Sequence, residues 1–558
     1  MPIQPREVAA KFEAEIVQEW LRVCQKSHAN CVPHGWLLWV TKLIDCNNGG
    51  VVSVSTLDTI PDYVALSYVW GEPSSTPAKP AKDRSALPQL VEDAISVTKQ
   101  MGFQYIWVDR YCVEQKDSHR KHEQIMNMDS IYENAALTII AASGRDPAQG
   151  LLGVSSDRLK KEDPFRHDNF SISWVPPTPH YEILESRWST RGWTYQEATL
   201  SRRRLVFTEH QVYFECRSMA CCESLQMPLQ PPPEELKPRS GFQPFRIPHL
   251  FSIPLLDDTG FAPPLHRYSN ALLDAKPILD AQPSPQKAIA FNAYTQCAER
   301  YSRRTLTYDS DSLNAFGGMI KRFESLERAT LRHLWGMPFF DQRDDISPGE
   351  IVDYTGFFLA GLSWYHCESP KVAPPHPRRR KRFPSWSWTG WEGAVTWPQV
   401  ATTYDVRAPD PDVTLASIQL TFEDGTTRSI PDVRRGPERQ RPGVGDNARP
   451  PPTLDQYPKA LLLQTSAVTS GDFPHAGSGT GEGFWFPSDP GLTEARMVQQ
   501  VRSGHLKALR LGTIGEDGFL LVVKKKGRSF YRVGLMRVDR ALVTERVQNQ
   551  DSHVFKLK

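Results

Sequence analysis

The chain has 558 residues, more than one compact domain usually holds, and its apolar content is enough to bury a large core. Its formal net charge is only +2, so no global field draws it to nucleic acid or to an acidic membrane. Nine cysteines, an odd number scattered along the chain, fit reduced thiols and exclude a dense disulfide framework.

In chain order, residues 7–25 predict a helix, with Val8, Phe12, Ile16, Trp20 and Val23 at helical spacing. Strands are expected at Trp36–Ile44 and Val51–Leu57. Val64–Tyr68 is a short apolar run ending at Trp70, Gly71 and Pro73, the pattern of a strand that runs into a turn. A polar, proline-bearing loop is expected over 72–86. Leu87–Met101 reads as a helix carrying Leu90, Ala94, Ile95 and Val97, and Tyr105–Val108 as a strand closing on Asp109. Asp117 or Ser118 caps one helix reaching about Asn134, and Leu137–Ala142 is the next strand. Strand alternating with helix predicts βαβ units and a largely parallel sheet.

Residues 144–182 read as an insertion. A helix opens near Arg191, and strands follow at Leu205–Thr208 and Val212–Glu215. Proline-rich, polar residues 226–265 form a linker or lid. Helix resumes near 285, and alternation around Leu506–Leu511, Phe519–Val523 and Phe530–Val538 makes the tail β-structure. No stretch approaches the ~20 apolar residues of a membrane span. The charged segment Met1–Trp20 lacks the apolar core of a secretory signal, so a cytoplasmic location is expected. The basic run Arg378–Arg382 is a weak nuclear-import signal and reads first as a solvated loop.

The chemistry gathers at strand ends. Ligands of open α/β sheets bind beyond the carboxyl ends of the strands, and Ser67, Tyr68, Trp70 and Asp109 all fall there. Trp193 and Glu197 are four apart and share a helix face. An indole beside a carboxylate can stack on a planar heterocycle and can desolvate the acid, raising its pKa. Such an acid can stabilise an oxocarbenium-like centre. Each residue also has a plain structural role open to it. Trp193 can be core, Asp109 a turn or cap residue, and Glu197 a partner of Arg187, Arg191 or the Arg202–Arg204 cluster. Cys24, His28 and Cys31, with Cys46 beyond, offer metal-ligand atoms, but their spacing matches no standard finger and no metal is expected.

Three ordered motifs resemble the fungal heterokaryon-incompatibility (HET) domain. The first is Leu66-Ser67-Tyr68, one variable residue, then Trp70-Gly71. The second is Trp107-Val108-Asp109 followed by Cys112-Val113-Glu114-Gln115, with Glu114 where the family usually has Asn. The third is Arg191-Gly192-Trp193-Thr194-Tyr195-Gln196-Glu197. The HET domain is in turn similar to TIR domains. Leu66-Ser67-Tyr68 is similar to the Ser-Tyr ending the first TIR strand. Trp193 and Glu197 are similar to the TIR helix whose glutamate is catalytic in NAD-cleaving members, with Thr194 replacing the usual cysteine.

The resemblance implies an α/β, TIR/flavodoxin-like domain with a largely parallel sheet, a helical lead-in and a mixed, β-rich C-terminal region. The expected division is a lead-in over 1–59, the HET domain over 60–217, a linker over 218–284 and an α+β region over 285–558, with disordered loops near 368–383 and 424–453. It implies a role in fungal non-self recognition and cell death. It also implies a site with Glu197 as catalytic acid and with Ser67, Tyr68, Trp70, Asp109 and Trp193 binding substrate. No cofactor is expected; NAD enters as the implied substrate of a glycohydrolase. The alternative is a non-catalytic module that signals by self-association or by meeting another incompatibility protein.

Overall fold

Tyr63–Ser67 and Leu137–Ala141 are each buried at every residue, as strands covered on both faces by helices must be. Both lie in the first of two compact units of this computed structural model, Met1–Ile253 and Pro254–Lys558. The structure describes residues 4–32, 39–57, 59–70, 87–143, 147–158, 165–167, 170–172, 174–227, 229, 247, 249–251, 285–326, 331–340, 354–367, 377–398, 406–407, 417–429, 457–468, 484–489, 491–514, 517–539 and 553–558. The loop expected over 72–86, the start of the strand at Trp36 and most of the 218–284 linker lie outside the described residues. So do 368–376 and 430–453 of the two expected disordered loops.

The first unit opens with helix α1 (Ala14–Ser27), which buries Val17, Trp20, Leu21 and Cys24. It starts later than its apolar spacing predicts. The Phe12 amide bonds instead to the Gly153 carbonyl at 2.9 Å, and its ring packs on Phe207. Next come strands β1 (Lys42–Asp45), β2 (Val51–Ser53) and β3 (Tyr63–Ser67), helix α2 (Gln89–Gln100) and strand β4 (Tyr105–Val108). The helix expected from Asp117 to Asn134 is two helices, α3 (Ser118–Met126) and α4 (Met128–Asn134). Asp117 caps α3 by accepting from the His119 and Arg120 amides, and Asn127 breaks the run with φ −117° and ψ 19°. Strand β5 (Leu137–Ala141), helix α5 (Pro179–Glu185), helix α6 (Trp193–Leu200) and strands β6 (Arg203–Phe207), β7 (Val212–Cys216) and β8 (Ala220–Cys222) complete it.

The sheet has the order β8-β7-β6-β5-β3-β4-β1-β2. Its four central strands are parallel: β3 pairs with β4 (Leu66 with Val108) and with β5 (Ser67 with Ile140), and β5 pairs with β6 (Ala141 with Phe207). Both flanks are antiparallel. The sheet is therefore mixed rather than largely parallel. The short turns β1–β2, β6–β7 and β7–β8 are hairpins, which only antiparallel pairs permit. Residues 42–53, read as lead-in, and Ala220–Cys222, read as linker, are strands of this same sheet. Alternation along the strands splits the core in two. Ile139, Leu205 and Phe214 join the larger cluster with α1, while Ile140, Val206 and Tyr213 join Trp188 and Ala198 on the other face.

In the second unit, helices Pro285–Ser302, Gly317–Glu324 and Tyr354–Leu362 precede a ten-stranded sheet. That sheet includes the long strands Leu506–Ile514, Asp517–Lys526 and Ser529–Asp539. Residues 424–429 are not disordered: they close a hairpin in which Thr427–Ser429 pairs with Gln419–Thr421. The basic run is solvated only in part: Arg378, Lys381 and Arg382 are exposed, while Arg379 and Arg380 turn inward. Arg378 pairs with Asp309 (2.7 Å) and Glu392 (2.6 Å). The Arg379 guanidinium donates to the Gly390 and Phe383 carbonyls, and Arg380 is buried against Ser312 and Trp391. Trp386, Trp388 and Trp391 are buried beside them. Among the described residues, no helix is long and apolar enough to cross a membrane.

Candidate active site

The parallel strands end on one edge of the sheet. Ser67 is the last residue of β3, and Asp109 follows the last residue of β4 and opens the helical turn Asp109–Cys112. Helix α6, between β5 and β6, packs beside α4 and reaches β3. Its start is tied down by the Thr194 hydroxyl, placed 2.8 Å from both the Trp188 and the Arg191 carbonyl. Its end is tied by the Ser201 hydroxyl donating to the Glu197 carbonyl at 2.6 Å. The Arg204 guanidinium donates to the Ala198 carbonyl and, at 2.9 Å, to the Thr199 carbonyl. Between these two anchors the helix presents Glu197 to β3.

The Ser67 hydroxyl donates to Glu197 Oε2 at 2.5 Å and accepts from Trp188 Nε1 at 2.8 Å. Indole, hydroxyl and carboxylate thus form one buried chain across residues far apart in sequence. The Tyr132 hydroxyl adjoins the same carboxyl and donates to the Leu66 carbonyl at 3.1 Å. Glu197 is only 6% exposed. Burial pushes its pKa up to about 7, with the Asp109 charge adding to the rise, against the Ser67 hydrogen bond and the Arg191 charge, which lower it.

Asp109 lies in a separate hydrogen-bond set. Trp70 Nε1 donates to both its oxygens, at 3.2 and 3.0 Å, and the Arg110 amide donates to Oδ1 at 2.6 Å. Burial raises its pKa to about 6 despite these donors. Trp70 itself is 41% exposed, with the Arg110 guanidinium 5.7 Å from its ring centroid. Tyr68 is buried. Its hydroxyl has no hydrogen-bond partner among the described residues, and burial with the nearby Asp109 charge holds its pKa well above the ordinary phenol range.

Ser67 and Glu197 are brought into direct contact, and Asp109 and Tyr68 into the same electrostatic neighbourhood. Trp193 is half-buried and packs against the larger core cluster. The indole bonded to the Ser67–Glu197 pair is Trp188, three residues before the third motif, not Trp193. The Arg202–Arg204 cluster serves other groups. Arg202 and Arg203 donate to the carbonyls of Cys31 and of residues 133–136, and Arg204 pairs with Glu215 at 3.5 Å.

Both acids have folded pKa values above their ordinary ones, so between about pH 4 and pH 7 the folded chain binds more protons than the unfolded chain. Their contribution to stability is then greatest below that window, falls as pH rises through it, and levels off above it. Glu197 alone accounts for a fall on the order of 3 kcal/mol. Denaturant unfolding measured at about pH 5 and about pH 8 is expected to show this fall in the wild type and a shallower one in Glu197→Gln. Equal slopes in the two proteins would contradict the raised pKa.

A second convergence lies elsewhere in the unit. Ligand atoms of Cys24, His28, Cys31 and Cys216 all lie within 4.8 Å of one another. The fourth member is Cys216 from β7, not the Cys46 suggested by proximity in sequence.

Residues 63–197 match the family model described as heterokaryon incompatibility protein (HET). The matched stretch runs from the first residue of β3 to Glu197, so it spans Ser67, Asp109, Trp188 and Trp193. The chain is 28% identical over 144 residues to the vegetative incompatibility protein HET-E-1 of Podospora anserina. That stretch is 25% of this chain and 9% of the relative's length. No solved structure matches the chain. The chain therefore carries a segment of HET type, and that segment contains the whole of the candidate site.

Proposed function

We propose that this is a HET-domain protein of fungal incompatibility and cell death whose first unit is TIR-like and cleaves NAD or a related nucleotide. The observation that carries the reading is the Trp188–Ser67–Glu197 chain at the carboxyl end of the parallel strands. The strand order supports it. Taken alone, the four parallel strands run 2-1-3-4 in chain order, with the first strand interior, as in flavodoxin-like sheets. In such sheets the ligand crevice opens where strand order reverses, here beyond β3 and β5, and Ser67 ends β3.

The reaction divides among the residues as follows. The bond between the nicotinamide nitrogen and ribose breaks, and the nitrogen keeps the electron pair. Ionised Glu197 faces the ribosyl cation and stabilises it, and Ser67 holds the carboxylate in place. Water adds to the cation and releases one proton, giving nicotinamide and the ribosyl product. Tyr68, with its unpartnered hydroxyl, and Asp109 bind ribose hydroxyls, while the exposed Trp70 ring offers a stacking face. Trp193, half-buried, packs against the core.

Glu197 is nearly closed off from solvent, so turnover requires an activating rearrangement, which self-association or a second incompatibility protein supplies. The same burial favours a second reading. In it, Glu197 is a structural pin and the unit signals by assembly alone. Expression in a fungal host separates the two. Wild type is expected to kill and to deplete cellular NAD, and Glu197→Gln to do neither at equal protein level. Killing by Glu197→Gln with NAD intact would favour the assembly reading.

A further inference from the structure

We propose that Cys24, His28, Cys31 and Cys216 form a structural zinc site that staples the N-terminal helix to the strand β7 end of the sheet. The inference does not depend on the nucleotide-cleaving reading. It starts from local geometry. Cys24 sits in the last turn of α1, and His28 ends that helix with its amide bonded to the Cys24 carbonyl at 3.1 Å. Cys31 closes the following turn, its amide bonded to the His28 carbonyl at 3.0 Å. Two successive turns therefore aim three side chains at one point. Cys216 ends β7 and arrives from 188 residues beyond His28, with its Sγ 3.3 Å from His28 Nδ1.

The dimensions fit the ion. Zn–S bonds of about 2.3 Å and Zn–N bonds of about 2.0 Å give a tetrahedron with edges of about 3.5–3.8 Å. The four ligand atoms already lie within 4.8 Å of one another, so closing on zinc needs only small side-chain shifts. Three cysteines and one histidine are a recognised structural zinc set, and soft thiolates select zinc over hard cations. All four positions come from the protein, so the site is closed and its role is to hold the fold.

Hydrogen-bond donors already face the sulfurs. The Ser218 and Met219 amides point at Cys216 Sγ at 3.4 and 3.3 Å, a two-amide knuckle that can support a zinc-bound thiolate. The Arg217 amide bonds Cys31, and Arg203 Nε donates to Cys24 Sγ at 3.1 Å. Binding releases the three thiol protons and leaves a centre of net charge −1, which the Arg203 guanidinium offsets. Cys24, Cys31 and Cys216 are fully buried, and three sulfurs share one small space with the His28 imidazole.

Full-length protein purified without chelator is expected to carry about one zinc per chain by elemental mass spectrometry. Cys216→Ser and His28→Ala are expected to lose most of it, and Cys46→Ser to keep it. Because a ligand variant can fail to fold, wild type is also exchanged into cobalt, where thiolate-to-cobalt charge transfer and intense tetrahedral visible bands are expected. Zinc-free, folded wild type that gives no such cobalt spectrum would overturn the proposal. So would equal zinc in Cys216→Ser, or a disulfide joining two of the three cysteines.

Discussion

Glu215→Leu is expected to destabilise the first unit by about 3–5 kcal/mol, because it leaves a guanidinium buried without its counter-charge. Glu215 is fully buried on β7. Its carboxylate accepts from Tyr213 (2.6 Å) and from the Leu250 (2.7 Å) and Phe251 amides, with His249 nearby, and it pairs with Arg204 at 3.5 Å. These donors and the positive charges overcome burial and hold its pKa far below the ordinary carboxylate range. Arg204 in turn ties down the Ala198 and Thr199 carbonyls at the end of α6, the two residues following Glu197. The loss should therefore appear at the site as well as in the core. Amide exchange is expected to speed up in peptides covering α6 and β6, and Arg204→Met in the same chain should recover part of the loss by removing the stranded charge. Unchanged exchange in Glu215→Leu would mean that Arg204 does not anchor the helix.

The parts of this site legible in sequence are those set by local pattern. Apolar runs ending at Ser67 and Val108 mark strand ends, and the spacing of the third motif puts Glu197 on a helix. What joins them is not local. The hydroxyl that meets Glu197 is 130 residues away, and the indole behind it is Trp188 rather than Trp193. Both tryptophans lie in one aromatic stretch, and helical spacing alone singles out Trp193, not the indole that bonds Ser67. Trp188 precedes the helix and reaches β3 through a 3₁₀ turn. Strand direction is equally hidden. The residues of β1, β2 and β7 read as extended and those of β8 as linker, but alternation is the same for parallel and antiparallel neighbours. The Arg378–Arg382 run shows the limit of reading charge as exposure: Arg378, Lys381 and Arg382 are exposed, but Arg379 and Arg380 turn inward onto backbone carbonyls. Cys216 shows it again, because a ligand from a distant strand leaves no spacing signature.

Glu197→Gln is expected to lower nicotinamide release by about 10²–10⁴-fold while the unit stays folded. The amide keeps the size of the carboxyl and still accepts the Ser67 hydrogen bond, so positioning survives. What disappears is the negative charge that faces the ribosyl cation. In wild type that charge forms only as pH passes the raised pKa of about 7. The rate should therefore climb through neutral pH and flatten above it. Trp188→Phe removes the donor to Ser67 and part of the buried ring but leaves the Glu197 charge, so it should slow turnover less than Glu197→Gln does.

The most direct measurement is nicotinamide release from NAD by the purified full-length chain held in an enforced oligomer, followed across pH. Release that rises to a plateau above neutral pH and vanishes in Glu197→Gln is the predicted result. Absence of release from the wild-type oligomer, or equal release from the Gln variant, would contradict an acid-centred site at the end of β3.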